Sequence, residues 1–101
     1  MFTDPQSGGR TITPANGEII YEANTAAENV YFIRRGQVRL YTVRADGAAR
    51  LVEILGPGHW FGVAALAGEK TDRMRAVVVG SAVLTEISSN RLTSALSANV
   101  T

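Results

Sequence analysis

Short apolar stretches alternate with turn-forming residues along nearly the whole chain. Seven of the stretches are rich in the β-branched and aromatic residues that strands favour: Arg10–Thr13, Glu18–Glu22, Asn29–Arg34, Gln37–Arg44, Ala49–Leu55, Arg75–Val79 and Ala82–Ile87. Glycine, proline, asparagine or aspartate marks the separators, which are Pro14–Gly17, Arg35–Gly36, Asp46–Gly47, Gly56–Gly58 and Gly80–Ser81. Turns spaced by roughly eight to twelve residues are typical of an all-β sandwich or barrel.

Two segments depart from this pattern and predict short helices. Val63–Ala67 is rich in alanine, and Ser89–Val100 begins within the run Ser-Ser-Asn (residues 88–90), which are good N-cap residues. The first nine residues include Asp, Pro, Ser and Gly, which predict a flexible tail. We therefore expect a tail over residues 1–9 and one β domain over residues 10–101, with no DNA-binding domain in this sequence.

Composition and charge narrow the function classes. The chain has 101 residues, which is one domain's worth, and 46% of them are hydrophobic. Its net charge of +1 argues against a nucleic-acid-binding surface that extends over the whole molecule. It has no cysteine, and the single histidine, His59, cannot build a multi-histidine metal site. We expect a cytoplasmic protein that is not an enzyme, holds no metal or cofactor and does not enter a membrane.

The stretch GPGHWFGVAALAGEKTDRMR, residues 56–75, carries the candidate chemistry. Gly62 permits a sharp turn where a strand ends, and a short helix is predicted to begin there with unpaired backbone amides. Arg73 lies near the start of the next strand and can fold back over the turn. Because a guanidinium holds phosphate or carboxylate with two parallel bonds, this arrangement predicts a site for a small anion.

Two other interpretations of these arginines remain open at the sequence level. Arg73 can instead be a surface arginine that pairs with Asp72 or Glu69. Arg75 can serve as the anion partner, because alternation along a strand makes it point the same way as Arg73.

An ordered set of residues resembles the effector domain of the CRP/FNR transcription regulators. The set is Gly17-Glu18-Ile19-Ile20, Val30-Tyr31-Phe32-Ile33, Gly36, Val38, Phe61-Gly62 and Arg73. The resemblance runs from about Arg10 to Leu96. It implies a cyclic-nucleotide-binding-domain-like fold, a double-stranded β-helix (jelly roll) with short helices. It also implies an effector-sensing role in a homodimeric regulator that reads DNA through a domain absent here.

The residue after Gly62 distinguishes two branches of that family. Members that bind cyclic nucleotides usually carry Phe-Gly-Glu, in which the glutamate holds the ribose hydroxyl and a later arginine holds the phosphate. Here Val63 stands at the glutamate position, and valine cannot accept a hydrogen bond. The chain is more similar to the cyanobacterial global nitrogen regulators, which sense 2-oxoglutarate. The matching residues are Phe61-Gly62-Val63, Leu66, Gly68 and Asp72-Arg73.

The resemblance to the nitrogen regulators implies a small anionic effector, 2-oxoglutarate, and a set of ligand contacts. These contacts are Phe61, Gly62, Val63, Ala64 and Arg73. A cupin-type metalloenzyme on the same kind of roll needs clustered histidines, and the single histidine nearly excludes it. Two alternatives stay open. One is a module that binds a cyclic nucleotide such as cyclic AMP without the glutamate, and the other is a degenerate interaction domain that binds no ligand.

Overall fold

The computed structural model describes residues 9–64 and 73–91. Within this part the chain forms six β-strands: β1 (Gly9–Ile12), β2 (Ile19–Tyr21), β3 (Asn29–Val43), β4 (Ala49–Leu55), β5 (Trp60–Phe61) and β6 (Met74–Ser88). The long strands β3 and β6, of 15 residues each, form the antiparallel ladder at the centre of the molecule. β1 begins at Gly9, which pairs with Ile87, so the strand starts one residue before the predicted boundary.

The central ladder contradicts two of the predicted turns. Gly36 and Gly80 both have positive φ angles, 91° and 74°, as a turn would require. Both nevertheless lie inside strands, and each strand continues past its glycine. The separators Arg35–Gly36 and Gly80–Ser81 are therefore wrong as chain reversals. Positive φ also serves a β-bulge, which bends a strand without ending it.

The bulge at Gly36 lies between two ladder pairs. Arg35 pairs with Val83 and Gln37 with Val79, so β3 has one residue between them where β6 has three, 80–82. A Cβ atom on Gly36 would lie 2.7 Å from the Ser81 carbonyl oxygen. Only glycine accommodates both the φ angle and this approach of the two backbones.

The bend divides the ladder into two layers. In one layer the strand order is β4, the second half of β3, the first half of β6 and then β2. In the other layer the strand order is β5, the first half of β3, the second half of β6 and then β1. The predicted fold class, an all-β jelly roll, is confirmed.

The hydrophobic core contains residues of both layers. Ile33 and Leu84 come from one layer and Val38 and Val78 from the other, and all four are fully buried. Burying a side chain of this kind contributes about 1.5–3 kcal/mol. The β-branched residues that predicted the strands are therefore also the residues that hold the layers together.

Two of the other predicted turns are present in the structure. Asp46–Gly47 forms the tight β3–β4 connection, in which the Asp46 carboxylate accepts a hydrogen bond from the Ala48 amide at 2.9 Å. Pro57–Gly58 forms a turn closed by the His59 amide and the Gly56 carbonyl, 3.3 Å apart. Both predictions are confirmed.

Each predicted helix is described only at its start. Val63 and Ala64 are helical, with 3₁₀ geometry, and residues 65–67 lie outside the described residues. Residues 89–91 are helical, and the Ser88 hydroxyl caps them by accepting a hydrogen bond from the Arg91 amide at 3.4 Å. The rest of that segment and the predicted tail, except Gly9, also lie outside the described residues. None of the described helical segments is long and apolar enough to cross a bilayer.

Candidate functional site

A cleft of about 510 Å³ opens where the turn after β5 faces the start of β6 and the inner side of β4. Its lining combines an apolar floor with a few polar groups at the rim. The lining residues are Tyr21, Leu40, Glu53, Leu55, His59, Trp60, Phe61, Gly62, Val63, Ala64, Arg73 and Met74. Residues of both layers line the cleft: β4 and Leu40 of β3 belong to one layer, and Trp60 and Phe61 of β5 belong to the other.

All five residues predicted to contact a ligand line this cleft, although they are separated in sequence by residues 65–72. Phe61 is buried, and Val63 is 48% exposed. Gly62 has a φ of 74°, and a Cβ there would lie 3.1 Å from the Asn29 carbonyl oxygen. The glycine therefore lets the turn approach β3 closely, which places Val63 and Ala64 at the rim.

The two candidate arginines have different surroundings. Arg73 is exposed at the cleft and makes no ion pair with any described residue. Its other candidate partners, Asp72 and Glu69, lie outside the described residues. Arg75 donates from Nε to Glu22 Oε1 at 2.7 Å and is not part of the cleft lining. Of the two candidate arginines, Arg73 is therefore the one that lines the cleft.

The Arg75–Glu22 pair also changes the acidity of its carboxyl group. The hydrogen bond from Arg75 lowers the pKa of Glu22 below its usual value, and the Ala23 amide adds a second hydrogen bond at 2.9 Å. Both donors favour the charged carboxylate. The pair joins the segment after β2 to the start of β6, next to the cleft.

An aromatic cluster packs next to the turn at Gly62. The rings of Tyr31 and Phe61 stack with centroids 5.0 Å apart, and Tyr21 lies about 6 Å from both. Stacked pairs contribute about 0.5–1.5 kcal/mol beyond the burial of their area. Burial, with Glu86 nearby, raises the pKa of Tyr31 to about 12. The cluster fixes the position of Phe61 and hence of the glycine that follows it.

Trp60 and His59 are not among the predicted ligand contacts, and both line the cleft. Trp60 packs edge-on against Phe32, with ring centroids 5.0 Å apart, and is 37% exposed. The Nδ1 atom of His59 lies 3.1 Å from the Gly56 carbonyl oxygen, within hydrogen-bond distance. His59 lies in the turn before β5, and Trp60 lies in β5 next to Phe61, so both residues border the same cleft.

Sequence reasoning missed Glu53, together with Tyr21, Leu40, Leu55 and Met74. Glu53 had a usable signal. It alternates with Leu55 in a strand, so the two share a face, and Leu55 is buried. A charged residue on the same face as a core leucine is unusual enough to mark the position for attention, although Glu53 itself is exposed. No three His, Asp or Glu side chains within residues 9–64 and 73–91 come together as a metal centre requires.

Comparisons with known proteins agree with this architecture. Residues 13–99 match the family model of the cyclic nucleotide-binding domain. The structure superposes on the catabolite activator protein of Thermus thermophilus with a TM-score of 0.79 and 24% identity, covering 85% of this chain and 40% of that one. It superposes on the cAMP-bound form of the EAL enzyme Bd1971 with a TM-score of 0.79 and 22% identity, covering 87% of this chain and 24% of that one.

One curated relative extends the range of proteins that contain a similar segment. An uncharacterized ABC transporter ATP-binding protein of Mycobacterium tuberculosis is 30% identical over 61 residues, which is 60% of this chain and 18% of that protein. The chain thus spans about a fifth of the length of the curated relatives it matches. The family model covers most of the chain, and this chain belongs to the cyclic nucleotide-binding domain family.

Proposed function

We propose that this chain is the effector-sensing module of a CRP/FNR-type transcription regulator, and that a small anionic effector binds in the cleft. The observation that carries the proposal is that Arg73 and the turn at Gly62 border one cleft. Arg73 has no ion pair within the described part of the chain. A guanidinium in that position attracts a phosphate or a carboxylate.

We favour a cyclic nucleotide as the effector. Membership of the family supports this choice, as does the cAMP-bound state of the similar EAL enzyme. The lining supports it too, because Trp60, Leu40 and Leu55 offer apolar surface that a purine ring can cover. The cyclic phosphate would take Arg73 as its partner, as a single anionic group requires.

The second candidate effector is 2-oxoglutarate. Val63 favours it, because a valine cannot hold a ribose hydroxyl and because Phe61-Gly62-Val63 resembles the nitrogen regulators. The charge of the lining is less favourable. Among the described residues of the cleft, Arg73 is the only arginine or lysine, so a second carboxylate would have no such partner.

Effector binding would act by shifting the population between two arrangements of a larger assembly. A ligand does so only as far as it binds the two arrangements with different affinity. In this proposal the homodimer and the DNA contact belong to the complete regulator, and this module supplies the binding free energy.

Calorimetric titration with cyclic AMP, cyclic GMP and 2-oxoglutarate tests the proposal. We expect a cyclic nucleotide to bind, and Arg73→Ala to weaken that binding about tenfold or more, because hydrogen bonds to a charged group are lost. Arg35→Ala is the matched control, since Arg35 is an exposed arginine on β3 outside the cleft.

Each other outcome has a definite meaning. Binding of 2-oxoglutarate alone, lost in Arg73→Ala, would select the second candidate. Binding of none of the three compounds would refute the effector proposal and leave an interaction domain without a ligand. Equal losses in Arg73→Ala and Arg35→Ala would show that net charge, and not the cleft, controls binding.

A further inference from the structure

We propose that Glu53 determines which effectors the cleft accepts, by requiring a hydrogen-bond donor on the ligand in addition to the anionic group held by Arg73. This inference rests on the proposed function, since it assumes that the cleft binds a ligand. It deepens that function by specifying a ligand class, namely a monoanion with a donor group at some distance from its charge.

The position of Glu53 follows from the pairing of β4. Glu53 lies directly opposite Leu40 of β3, and Leu55 lies opposite Val38. Directly paired residues of antiparallel strands share a face, and both β3 partners are buried in the core. Glu53 therefore lies on the inner side of the sheet, where it is exposed at the margin of the cleft.

The carboxylate of Glu53 has acceptor capacity that the described residues leave unused. Glu18 and Glu86 each accept a hydrogen bond, from the Ala15 amide and from Arg10 Nε. Glu53 accepts none and joins no ion pair within residues 9–64 and 73–91. An ionised carboxylate has about four acceptor positions, so a ligand donor in the cleft finds a charged partner ready.

Glu53 and Arg73 lie on opposite flanks of the cleft. Their segments flank β3, with β4 on one side and the start of β6 on the other. Two strand spacings, about 10 Å, separate the two strands. Arg73 also lies further along β3 than Glu53, because Met74 pairs with Thr42 and Glu53 pairs with Leu40, so the two backbones are roughly 14 Å apart. A nucleotide-sized ligand can reach both groups at once, whereas an inorganic phosphate held by Arg73 cannot.

A cationic group, Arg73, on one side of the cleft and an anionic group, Glu53, on the other discriminate between ligand classes. A ligand with an anion at one end and an N–H or O–H donor at the other satisfies both groups. A dicarboxylate places its second negative charge toward Glu53, and like charges repel. The donor can be the amino group of a purine or a ribose hydroxyl, and the chemistry at Glu53 is the same for both.

The test compares Glu53→Gln with wild type by titration of four compounds. These are cyclic AMP, its analogue without the purine amino group, its 2′-deoxy analogue and 2-oxoglutarate. We expect Glu53→Gln to weaken cyclic AMP binding about fivefold, because a charged acceptor becomes neutral. We expect binding of the analogue that lacks the contacted donor to stay unchanged, which identifies the donor, and binding of 2-oxoglutarate to strengthen.

Glu28→Gln is the matched control. It makes the same change in net charge at an exposed glutamate outside the cleft, and we expect it to alter none of the four affinities. If Glu53→Gln behaves like Glu28→Gln while Arg73→Ala still abolishes cyclic AMP binding, the proposed function stands and the role of Glu53 is refuted. If wild type binds none of the compounds, both proposals fail.

A merely structural role for Glu53 has its own signature. Inward-pointing charges on an edge strand also prevent strands of two molecules from pairing. In that case Glu53→Gln would promote self-association in sedimentation while leaving the preference among the four compounds intact. That result would overturn the ligand-selecting role.

Discussion

The central β3–β6 ladder and the β4 strand beside it differ sharply in burial. Leu84, Val38 and Val78 in the ladder are fully buried, whereas Leu55 is the only buried residue among the seven of β4. Yet β4 supplies Glu53 and Leu55 to the cleft. The contrast indicates that the burial that stabilises the fold is concentrated in the central ladder. In β4 only Leu55 adds to that core, while the exposed Glu53 is the residue proposed to select the ligand.

Truncating one leucine in each region should produce the largest difference. Leu84→Ala leaves a cavity in the core, and we expect it to lower the free energy of unfolding by about 4 kcal/mol. Leu51→Ala on β4, where Leu51 is 43% exposed, should cost about 0.5 kcal/mol. Urea unfolding measures both values. Equal costs would mean that β4 belongs to the core in solution.

Alanine at two glycines of similar φ should separate crowding from backbone strain. Gly36→Ala brings a methyl group against the backbone of β6, and we expect a loss of about 3 kcal/mol. A Cβ on Gly47, whose φ is 89°, would meet no atom within 4 Å, so Gly47→Ala should cost about 1 kcal/mol from strain alone. Thermal unfolding of both variants checks the order, and a larger loss at Gly47 would contradict the bulge at Gly36.

The pKa of Tyr31 predicts a loss of stability in alkali. Because the folded pKa is raised from 10 to about 12, the stabilisation is complete below pH 10 and is lost as the pH rises through about 12. Tyr31→Phe should flatten the unfolding free energy across this range, and Tyr41→Phe should leave the decline in place. An unchanged alkaline decline in Tyr31→Phe would assign it to another group.

The smallest effect should come from Glu22 at the margin of the cleft. Its folded pKa lies below 4.5, so its contribution to stability is present above that pH and is lost as the pH falls through the lowered pKa. Glu22→Gln should flatten the acid limb of the stability profile, measured by urea midpoints. The effect is small because partly exposed ion pairs are well screened. If the stability of Glu22→Gln fell more steeply than that of wild type as the pH decreases, a lowered pKa for Glu22 would be contradicted.

Most of the fold follows from local sequence signals. Alternating β-branched residues and the Asp46–Gly47 and Pro57–Gly58 turns are sufficient to predict strands and tight connections. Gly36 and Gly80 show the limit of such signals. The requirement for positive φ is correct at both positions, but a turn and a bulge impose the same local requirement. The distinction depends on the pairing of β3 with β6, which is distant in sequence.

The candidate site is predictable only where its residues are close in sequence or match a family pattern. Phe61 to Ala64 form one turn, and the family resemblance adds Arg73. Glu53 and Tyr21 reach the cleft through the pairing of β4 with β3 and of β2 with β6. Alternation with Leu55 indicates the face on which Glu53 lies, but no local pattern contains those registers, so the position of either residue beside Phe61 and Arg73 follows only once the strands are paired.

The central ladder also has a consequence for the order of folding. Its outermost pair joins Asn29 and Ser88, which are 59 positions apart (88 − 29), whereas Val43 and Ala49 of the β3–β4 pair are only six apart (49 − 43). Distant pairings form slowly because loop closure precedes any stabilising contact. We therefore expect the β3–β4 pair to form early and the β6 pairing to be rate-limiting. During synthesis, the inner face of β3 would stay open to other chains until β6 has emerged, and pulse-labelled hydrogen exchange can follow this interval.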